Sequence, residues 1–340
     1  MSQVTLIGID TAKQVFHMVA VDARGQYVWH KNVRRRQLLP TLAKLKVCEV
    51  VLEACAASHH WARSIRELGH GVLMIAPQHV KPYRRGQKND YRDAEAIISA
   101  ALSPGMQFVG IKRVDQQAEQ ALHRVRSRLL SHRNAAANSL RGLLGEYGLA
   151  FRLGIKPLRE GARCFAETAQ ARELGLVDLI HDVLEEIQAL DQRMAHYERQ
   201  IEQRVKSDAI SVRLRDELHG VGKLSASALR VKVADVRDFS NGRNFAAYLG
   251  MAPAHRGTGG KVKIGKLKRG HDRYLRQLMI HGARSAVRHL GGKQDAQSRW
   301  LRDMVERRGP NIAAVALAHK NARQAWAIMA QEEERRMQQH

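Results

Sequence analysis

The 340-residue sequence is 44% hydrophobic, an ordinary value for a globular protein that argues against general disorder. Lysine and arginine number 57 against 33 aspartate and glutamate residues, which gives a formal net charge of +24 at pH 7. A positive charge of this size creates an electrostatic field that attracts polyanions. Nucleic acid is the best candidate for the partner, because the phosphates that the protein neutralises release their condensed counterions. A membrane surface is the competing partner. Since the sequence has no long apolar run, signal peptide or transit peptide, we expect a cytoplasmic protein with no membrane partner.

The cysteines and histidines do not form a known metal-binding motif. Cys48, Cys55 and Cys164 include no CxxC pair, so neither a disulfide framework nor a zinc ribbon is expected. His59 and His60 follow Cys55, but adjacent histidines on a regular helix cannot both face one ion. Buried packing and solvated helix faces account for these residues better than zinc.

The first 110 residues or so alternate between strand and helix patterns. A buried strand over 4–9 leads into Asp10, and strands over 15–21 and 26–33 flank a hairpin turn at 22–25. The segments that follow are predicted to be a helix, a buried strand, a helix, a strand and a helix, over 36–46, 48–52, 58–69, 71–75 and from Asn89. Three strands in hairpin order followed by alternating helices and strands are typical of an RNase H-like fold, an α/β architecture with a mixed sheet.

The middle of the chain is predicted to be helical. Apolar and small residues recur at helical spacing between 115 and 147. Between 176 and 201 the distance from one apolar residue to the next alternates between four and three positions. The second pattern predicts a coiled coil, with the two helices forming an antiparallel hairpin or an oligomerisation arm. An ordinary helical bundle inside one globular domain is the alternative. The heptad positions are Leu176, Ile180, Val183, Ile187, Leu190, Met194, Tyr197 and Ile201.

The last third of the chain is predicted to be mainly helical and to bind nucleic acid. The segment 218–223 resembles a helix-hairpin-helix turn, in which glycines let backbone amides approach a phosphate. Residues 254–288 contain ten lysines or arginines and one acid, Asp272, interleaved with glycines, which favours a loop lying against a phosphate backbone. The predicted nucleic-acid-binding residues are Gly220, Gly222, Lys223, Arg256, Lys261, Lys263, Lys266, Lys268, Arg269, Arg273 and Arg276.

Four carboxylates stand out by their position in the N-terminal third. Asp10 and Glu53 each end a buried strand, and Asp90 and Asp93 lie in the first turn of a helix that Asn89 could cap. All four could meet at one edge of the sheet, where clustered carboxylates need cations and hard oxygen ligands suit Mg²⁺ or Mn²⁺. Two such ions, about 4 Å apart, would clamp the attacking and leaving oxygens of a phosphodiester. The alternative is that the helical pair complements the helix dipole and that the other two acids start turns.

Motifs spread over nearly the whole chain resemble those of one protein family. They are Gly8-Ile-Asp-Thr-Ala-Lys13, Leu52-Glu-Ala54 with His59-His-Trp-Ala-Arg63, Lys88-Asn-Asp-Tyr-Arg-Asp-Ala-Glu-Ala96, Phe245-Ala-Ala-Tyr-Leu-Gly-Met-Ala-Pro253, Gly259-Gly-Lys261 and Lys268-Arg-Gly-His-Asp-Arg-Tyr-Leu-Arg276. In content and order they look like the DEDD transposases of the insertion-sequence one-ten family, most closely its eleven-eleven subgroup of Piv-like recombinases.

The resemblance implies a prokaryotic DNA transposase that cuts and rejoins donor and target DNA and lies on the nucleoid when bound. It implies three parts: a RuvC-like domain over 1–112, a helical coiled-coil region over 113–207 and a transposase domain over 208–340. It also implies a dimer-based tetramer and guidance by a non-coding RNA. In this family the DEDD acids bind the metal and act in catalysis. Here they fall on Asp10, Glu53, Asp90 and Asp93.

The family's nucleophile, a C-terminal serine, falls on Thr258 in this sequence. Threonine keeps the hydroxyl, but its extra methyl stiffens χ1 and crowds an in-line attack. Either Thr258 serves, or a neighbouring position such as Gly257 normally carries the serine and this chain is an altered copy. We expect 256–266 to be exposed or poorly ordered without DNA. Because some 165 residues separate Thr258 from Asp93, a composite site between protomers is also expected.

Other functions are compatible with parts of the sequence. A hydrolytic RuvC-like nuclease or Holliday-junction resolvase would use the same acids with water as the nucleophile. Gly8-Ile-Asp-Thr11 also resembles the first phosphate loop of actin-like sugar kinases, but no second glycine-rich phosphate loop follows and the basic C-terminal half has no role there. A non-catalytic binding protein is the outcome if Thr258 cannot react.

Overall fold

The structure, a computed structural model, describes residues 3–84, 90–258, 261–267 and 272–338. Within these ranges, the side chains at 90, 254–256, 258, 261–264, 266 and 336 lie outside the description. The chain divides into two compact units, residues 1–113 with 233–235 and residues 114–232 with 236–340. Among the helices of the described ranges, none combines the length and apolar character needed to cross a membrane.

The first unit is built on a mixed sheet of five strands in the order β3-β2-β1-β4-β5. Strand β1 runs antiparallel to β2 and parallel to β4, while β2–β3 is antiparallel and β4–β5 is parallel. This topology fits the predicted RNase H-like domain. The strands are β1 (Val4–Asp10), β2 (Val15–Asp22), β3 (Tyr27–Arg34), β4 (Glu49–Glu53) and β5 (Gly71–Ile75). The helices are α1 (Leu38–Ala43), α2 (Ser58–Glu67), α3 (Pro77–Val80) and α4 (Asp90–Ala101).

Helices cover both faces of this sheet, which is why its central strands are apolar on both sides. Successive side chains of a strand point to opposite faces. Ile7 and Ile9 of β1 accordingly lie in a core with Ile65 of α2, whereas Leu6 lies in a second core with Ile97 of α4. The helices thereby fix the strand ends at which the candidate acids lie.

The second unit begins with two long helices packed against each other, α5 (Val114–Gly145) and α8 (Val177–Ser207). Arg126 pairs with Glu198 at 2.6 Å and Arg133 with Asp191 at 3.1 Å, so the two helices run antiparallel. The heptad residues are largely buried in this pairing, which supplies the intramolecular partner expected for them. Coiled-coil geometry and pairing with another protomer stay predictions. The connection between the two helices contains α6 (Ile155–Ala166) and α7 (Ala169–Glu173).

The rest of the second unit is mainly helical but contains one β-hairpin. The prediction of a loop over the basic, glycine-rich segment is wrong for the described residues, because two antiparallel strands form there and Thr258 pairs with Lys261. The residues 261–264 alternate lysine with valine or isoleucine, a period-two pattern that favours a strand and that the charge and glycine content obscured. The elements are α9 (Ala209–Glu217), α10 (Lys223–Lys232), α11 (Gly242–Tyr248), β6 (Pro253–Thr258), β7 (Lys261–Leu267), α12 (Arg273–Arg288), α13 (Ala296–Arg308) and α14 (Pro310–Gln338).

Candidate active site

Two of the candidate acids end neighbouring parallel strands. In the β1–β4 register Ile9 lies opposite Leu52, so the residues that follow, Asp10 and Glu53, occupy the same carboxyl edge of the sheet. Ligands of open α/β sheets bind at this edge. Glu53 is only 8% exposed. Asp10 is partly exposed and takes part in an interaction of its own.

Glu53 and Asp93 share a single cation. Nη2 of Arg84 lies 2.9 Å from Oε2 of Glu53, and its Nε lies 3.0 Å from Oδ1 of Asp93. The Asp93 residue is 6% exposed, so two nearly buried carboxylates face one guanidinium. A buried carboxylate is costly unless it is paired and hydrogen-bonded. The pairing therefore shows that these two acids converge and that their charges are compensated from the same side.

Close packing of α4 on β1 sets the position of Asp93. A Cβ at Gly8 would lie 2.7 Å from the backbone oxygen of Ala94, so only glycine allows the helix to cross the strand this closely. Ala94 follows Asp93 directly, and Gly8 precedes Asp10 by two residues. Asp90 is the first residue of α4, and its side chain lies outside the described part of the chain.

The donor chemistry of this edge fits a hard divalent cation. Glu53 and Asp93 supply carboxylate oxygens, the ligands that Mg²⁺ and Mn²⁺ prefer. In the described side chains, which leave out Asp90, no group of three or more histidine, cysteine, aspartate or glutamate residues is arranged to hold a metal ion. Within those residues, Arg84 is the cation that neutralises the pair.

Sequence reasoning missed Arg84 and the contact between the loops beyond the two strands. Oγ1 of Thr11 lies 2.7 Å from Sγ of Cys55, which joins the segment after β1 to the segment after β4. Arg84 follows a 3-10 turn and belongs to no pattern in the sequence. The signal that could have found it is physical, since two buried carboxylates on adjacent elements require a nearby cation.

The His59 and Arg63 side chains of the motif on α2 bind backbone. Nδ1 of His59 accepts a hydrogen bond from the Lys112 amide at 3.2 Å, and Arg63 donates to the Lys112 carbonyl at 2.5 Å. Both side chains therefore tie α2 to the end of the first unit.

The predicted nucleic-acid-binding turn has a packing role as well. Gly220 has φ +81°, and a Cβ there would overlap the Gly282 carbonyl of α12, so the turn packs on α12 through this glycine. Gly222 has open space around it. Nζ of Lys223 lies 2.7 Å from Oε2 of Glu202, and this ion pair neutralises its charge.

The remaining predicted contacts lie in or beside the β6–β7 hairpin. Thr258 is the last residue of β6, and its side chain is outside the description. Arg273 is exposed at the start of α12, and Arg276 is partly exposed and has an interaction of its own. The side chains of Arg256, Lys261, Lys263 and Lys266 and the whole of Lys268 and Arg269 lie outside the described residues.

Comparison with known proteins identifies the chain. A family model described as "Transposase IS116/IS110/IS902 family" matches residues 213–301, and a model of DEDD transposases, described as "Transposase", matches residues 7–149. A probable family 20 transposase of Pseudomonas aeruginosa is 46% identical over 96% of this chain and 97% of its own length. The chain belongs to this transposase family.

Two further relatives of the transposase are named for insertion sequences. The transposase for insertion sequence element IS1111A of Coxiella burnetii is 38% identical, over 98% of this chain and 92% of its own. The transposase for IS1328 of Yersinia enterocolitica is 35% identical, over 97% of this chain and 98% of its own. The resemblance drawn from the motifs is thus confirmed, and the protein is a DNA transposase, an enzyme that recombines DNA.

The transposase also contains a buried polar cluster that the sequence did not predict. The cluster of α5, α10 and α12 is centred on His123, which is 3% exposed. Nε2 of His123 lies 2.7 Å from Oγ of Ser227, and its Nδ1 lies 3.0 Å from the Tyr274 hydroxyl. Ser227 donates its own proton to Glu119, so Nε2–H donates to the serine and the tyrosine donates to Nδ1.

This cluster has a structural role, although it contains a serine and a histidine. Ser227 is fully buried and its hydroxyl proton is committed to Glu119, so it cannot reach a substrate. Burial, and secondarily the positive charge of Arg126, lowers the pKa of His123 to about 4. Burial likewise raises the pKa of Glu119, against the hydrogen bond from Ser227. The imidazole is therefore neutral at neutral pH and joins three helices through hydrogen bonds.

Proposed function

We propose that the transposase cuts and rejoins DNA by means of Mg²⁺ or Mn²⁺ held by Asp10, Glu53, Asp90 and Asp93, with the Thr258 hydroxyl as nucleophile. The observation that supports it most is the convergence of two nearly buried carboxylates, Glu53 and Asp93, on one arginine at a sheet edge. Asp10 ends the adjacent parallel strand, and Asp90 begins the helix that carries Asp93.

Arg84 has a defined role in this proposal. Its guanidinium neutralises Glu53 and Asp93, the carboxylates that would hold the cation. When bound, a divalent ion supplies charge neutralisation and Lewis acidity at a phosphodiester. Arg84 is 38% exposed, so its side chain can swing out toward solvent and leave both acids to the metal or turn toward the DNA phosphate.

The covalent step exchanges one phosphodiester for another. A bond forms between the Thr258 oxygen and phosphorus, the bond from phosphorus to the departing DNA oxygen breaks, and the hydroxyl proton of Thr258 is balanced by protonation of that oxygen. Rejoining reverses the step with a new DNA hydroxyl. Thr258 and the acids of different protomers would together form the site, in a dimer-based tetramer acting on the nucleoid in the cytoplasm.

Guidance by a non-coding RNA is part of the proposal and rests on the family resemblance. The net charge of +24 gives the chain the capacity to bind RNA as well as donor and target DNA. The helix-hairpin-helix-like turn at 218–223 is one proposed phosphate contact of the chain. Sequencing of the nucleic acid that co-purifies with the expressed protein tests this directly, and recovery of DNA alone would count against it.

A substitution series at Thr258 tests the nucleophile. Thr258→Ala should abolish recombination and any covalent protein–DNA adduct, whereas Thr258→Ser should preserve or raise both because the smaller hydroxyl is less crowded. The adduct is measured by denaturing electrophoresis of labelled DNA after the reaction is stopped. If Thr258→Ala recombines like the parent, the assignment is wrong. Cleavage without an adduct in the parent would instead support a water-driven nuclease or resolvase.

A further inference from the structure

We propose that a basic cavity on the C-terminal helices binds the phosphodiester backbone of a nucleic acid strand. The cavity has a volume of about 580 Å³ and lies between the start of α11 and the middle of α14. We call it the α11–α14 cavity. Its polar lining comes from Asn241, Arg243, Lys320, Arg323 and Gln324. The α14 part lies beyond residues 213–301, the range matched by the family model.

The walls of the α11–α14 cavity are fixed by packing. Gly242 is buried, and a Cβ there would lie 2.9 Å from the backbone oxygen of Arg323, so glycine lets α11 approach α14 closely. Nε1 of Trp326, which also lines the cavity, donates to the carbonyls of Val236 and Phe239 at 3.3 and 3.2 Å. These bonds hold the segment that leads into α11. The cations therefore border an open cavity whose walls are held by packing.

The charge of the lining is uncompensated. Arg243, Lys320 and Arg323 all line the cavity, and its described lining includes no acidic residue. Two of the three acids farther along α14 pair with other cations, Glu332 with Arg213 and Glu333 with Arg230, each at 3.7 Å. Lys320 is held in place because its ammonium lies 4.5 Å from the centre of the Trp300 ring. Clustered cations in a concave site concentrate the field and attract an anion.

The rest of the lining favours a nucleic acid strand over a free phosphate ion. The cavity volume exceeds the needs of a single phosphate group. The side-chain oxygen of Gln324 is buried without a hydrogen-bond partner among the described residues. The Gln324 side chain is partly exposed, so a rotation of its amide would present this oxygen to a donor, which a ribose hydroxyl or a base amino group supplies and an unprotonated phosphate does not. Phosphates beside the arginines and a donor beside Gln324 together correspond to a strand of DNA or RNA.

The test compares two double substitutions that remove the same charge. The cavity variant is Arg243→Gln with Arg323→Gln. The control is Arg193→Gln with Arg199→Gln, two exposed residues of α8 outside the cavity. Binding of a fluorescent duplex DNA and a single-stranded RNA of equal length is measured by anisotropy over a range of salt concentrations. Circular dichroism melting confirms that each variant is folded.

The cavity variant should bind at least ~10-fold more weakly at low salt. The slope of its log affinity against log salt concentration should fall by the amount expected for about two lost phosphate contacts. That loss is a slope change of about 1.8 for duplex DNA or about 1.4 for a single strand. The control should change less, and Arg243→Lys with Arg323→Lys should keep most of the slope because the charge remains. Equal losses in the cavity variant and the control, or no loss in either, would overturn the proposal.

Comparison of the two nucleic acids shows whether the bound phosphodiester backbone belongs to DNA or to RNA. Loss confined to RNA assigns the cavity to RNA, and loss confined to DNA assigns it to DNA. Loss with both shows that the backbone alone is bound. All binding can be measured in an Asp10→Asn background. The readout therefore depends neither on metal chemistry nor on Thr258, and a failure here leaves the catalytic proposal standing.

Discussion

Two regions of the transposase bury ionisable side chains and compensate them in different ways. At the carboxyl edge of the N-terminal sheet, Glu53 and Asp93 form ion pairs with Arg84, whose side chain is 38% exposed. In the second unit, His123 is enclosed and shares hydrogen bonds with Ser227 and Tyr274. The first arrangement depends on a charged partner that is exposed to solvent, whereas the second depends on neutral partners around an unprotonated imidazole.

The difference indicates which region can take part in chemistry. A carboxylate pair held by an exposed guanidinium can exchange it for another cation with the charges balanced throughout. A buried imidazole has no such freedom, since any added proton breaks a hydrogen bond and leaves a charge without solvent. We therefore expect substitutions at the sheet edge to change activity and substitutions around His123 to change stability.

The largest effect is expected for Asp10→Asn, which should abolish strand exchange. Asp10 ends the strand beside Glu53, and the amide removes a charge that a divalent cation would need. We expect a rate loss of at least ~100-fold, the scale seen when one group is removed from an electrostatic site. Recombination of a donor–target pair is the assay, with nucleic-acid binding as the control. Parallel losses of binding and recombination would assign Asp10 to the fold rather than to the reaction.

The second prediction concerns the pH dependence of stability. The folded pKa of His123, about 4, lies below the ordinary histidine value of 6.5, so the unfolded chain binds the extra proton between those pH values. Stability from this residue is complete above pH 6.5 and is lost as the pH falls toward 4, by on the order of 3 kcal/mol. Urea unfolding at a series of pH values measures it.

His123→Gln should flatten this slope, because glutamine keeps hydrogen-bonding groups but does not titrate. The matched control is His132→Gln, an exposed histidine of the same helix, which should leave the slope as in the parent. Glu119, Arg126 and Asp272 remain in both proteins and contribute equally. An unchanged slope in His123→Gln would show that the imidazole is not the group that titrates.

Local sequence patterns predicted the architecture of the first unit because its signals are local. The hairpin turn is an example, since Oδ1 of Asp22 accepts from the Arg24 and Gln26 amides and Gly25 has φ +74°. These are preferences of the residues themselves. The β6–β7 hairpin was missed because its alternation was read as a charge pattern.

The side-chain partners could not be predicted, because they come from distant parts of the chain. Glu53 meets Arg84 across 31 residues, and His123 meets Tyr274 across 151. No periodicity encodes such a pairing, and it follows only from how the elements pack. The four acids were predictable as strand and helix ends, whereas the arginine between two of them was not.

The smallest effect, and the sharpest test of the comparison, is expected for Arg84→Gln. Without metal, this change leaves Glu53 and Asp93 facing each other, which should cost about 1–2 kcal/mol of stability after allowance for the exposure of Arg84. A metal that binds the same carboxylates stabilises the folded state by mass action. Because Arg84 no longer competes, Mg²⁺ should raise the melting temperature of the variant more than that of the parent.

Thermal unfolding in EDTA and in a Mg²⁺ titration measures both effects. Arg66→Gln is the control, since Arg66 is an exposed arginine of α2 whose loss changes the net charge equally. It should unfold like the parent at every Mg²⁺ concentration. Equal Mg²⁺ stabilisation of parent and Arg84→Gln would mean that the guanidinium and the metal do not share these carboxylates. Arg84 would then be a permanent structural partner of the pair, and the contrast with the closed cluster around His123 would disappear.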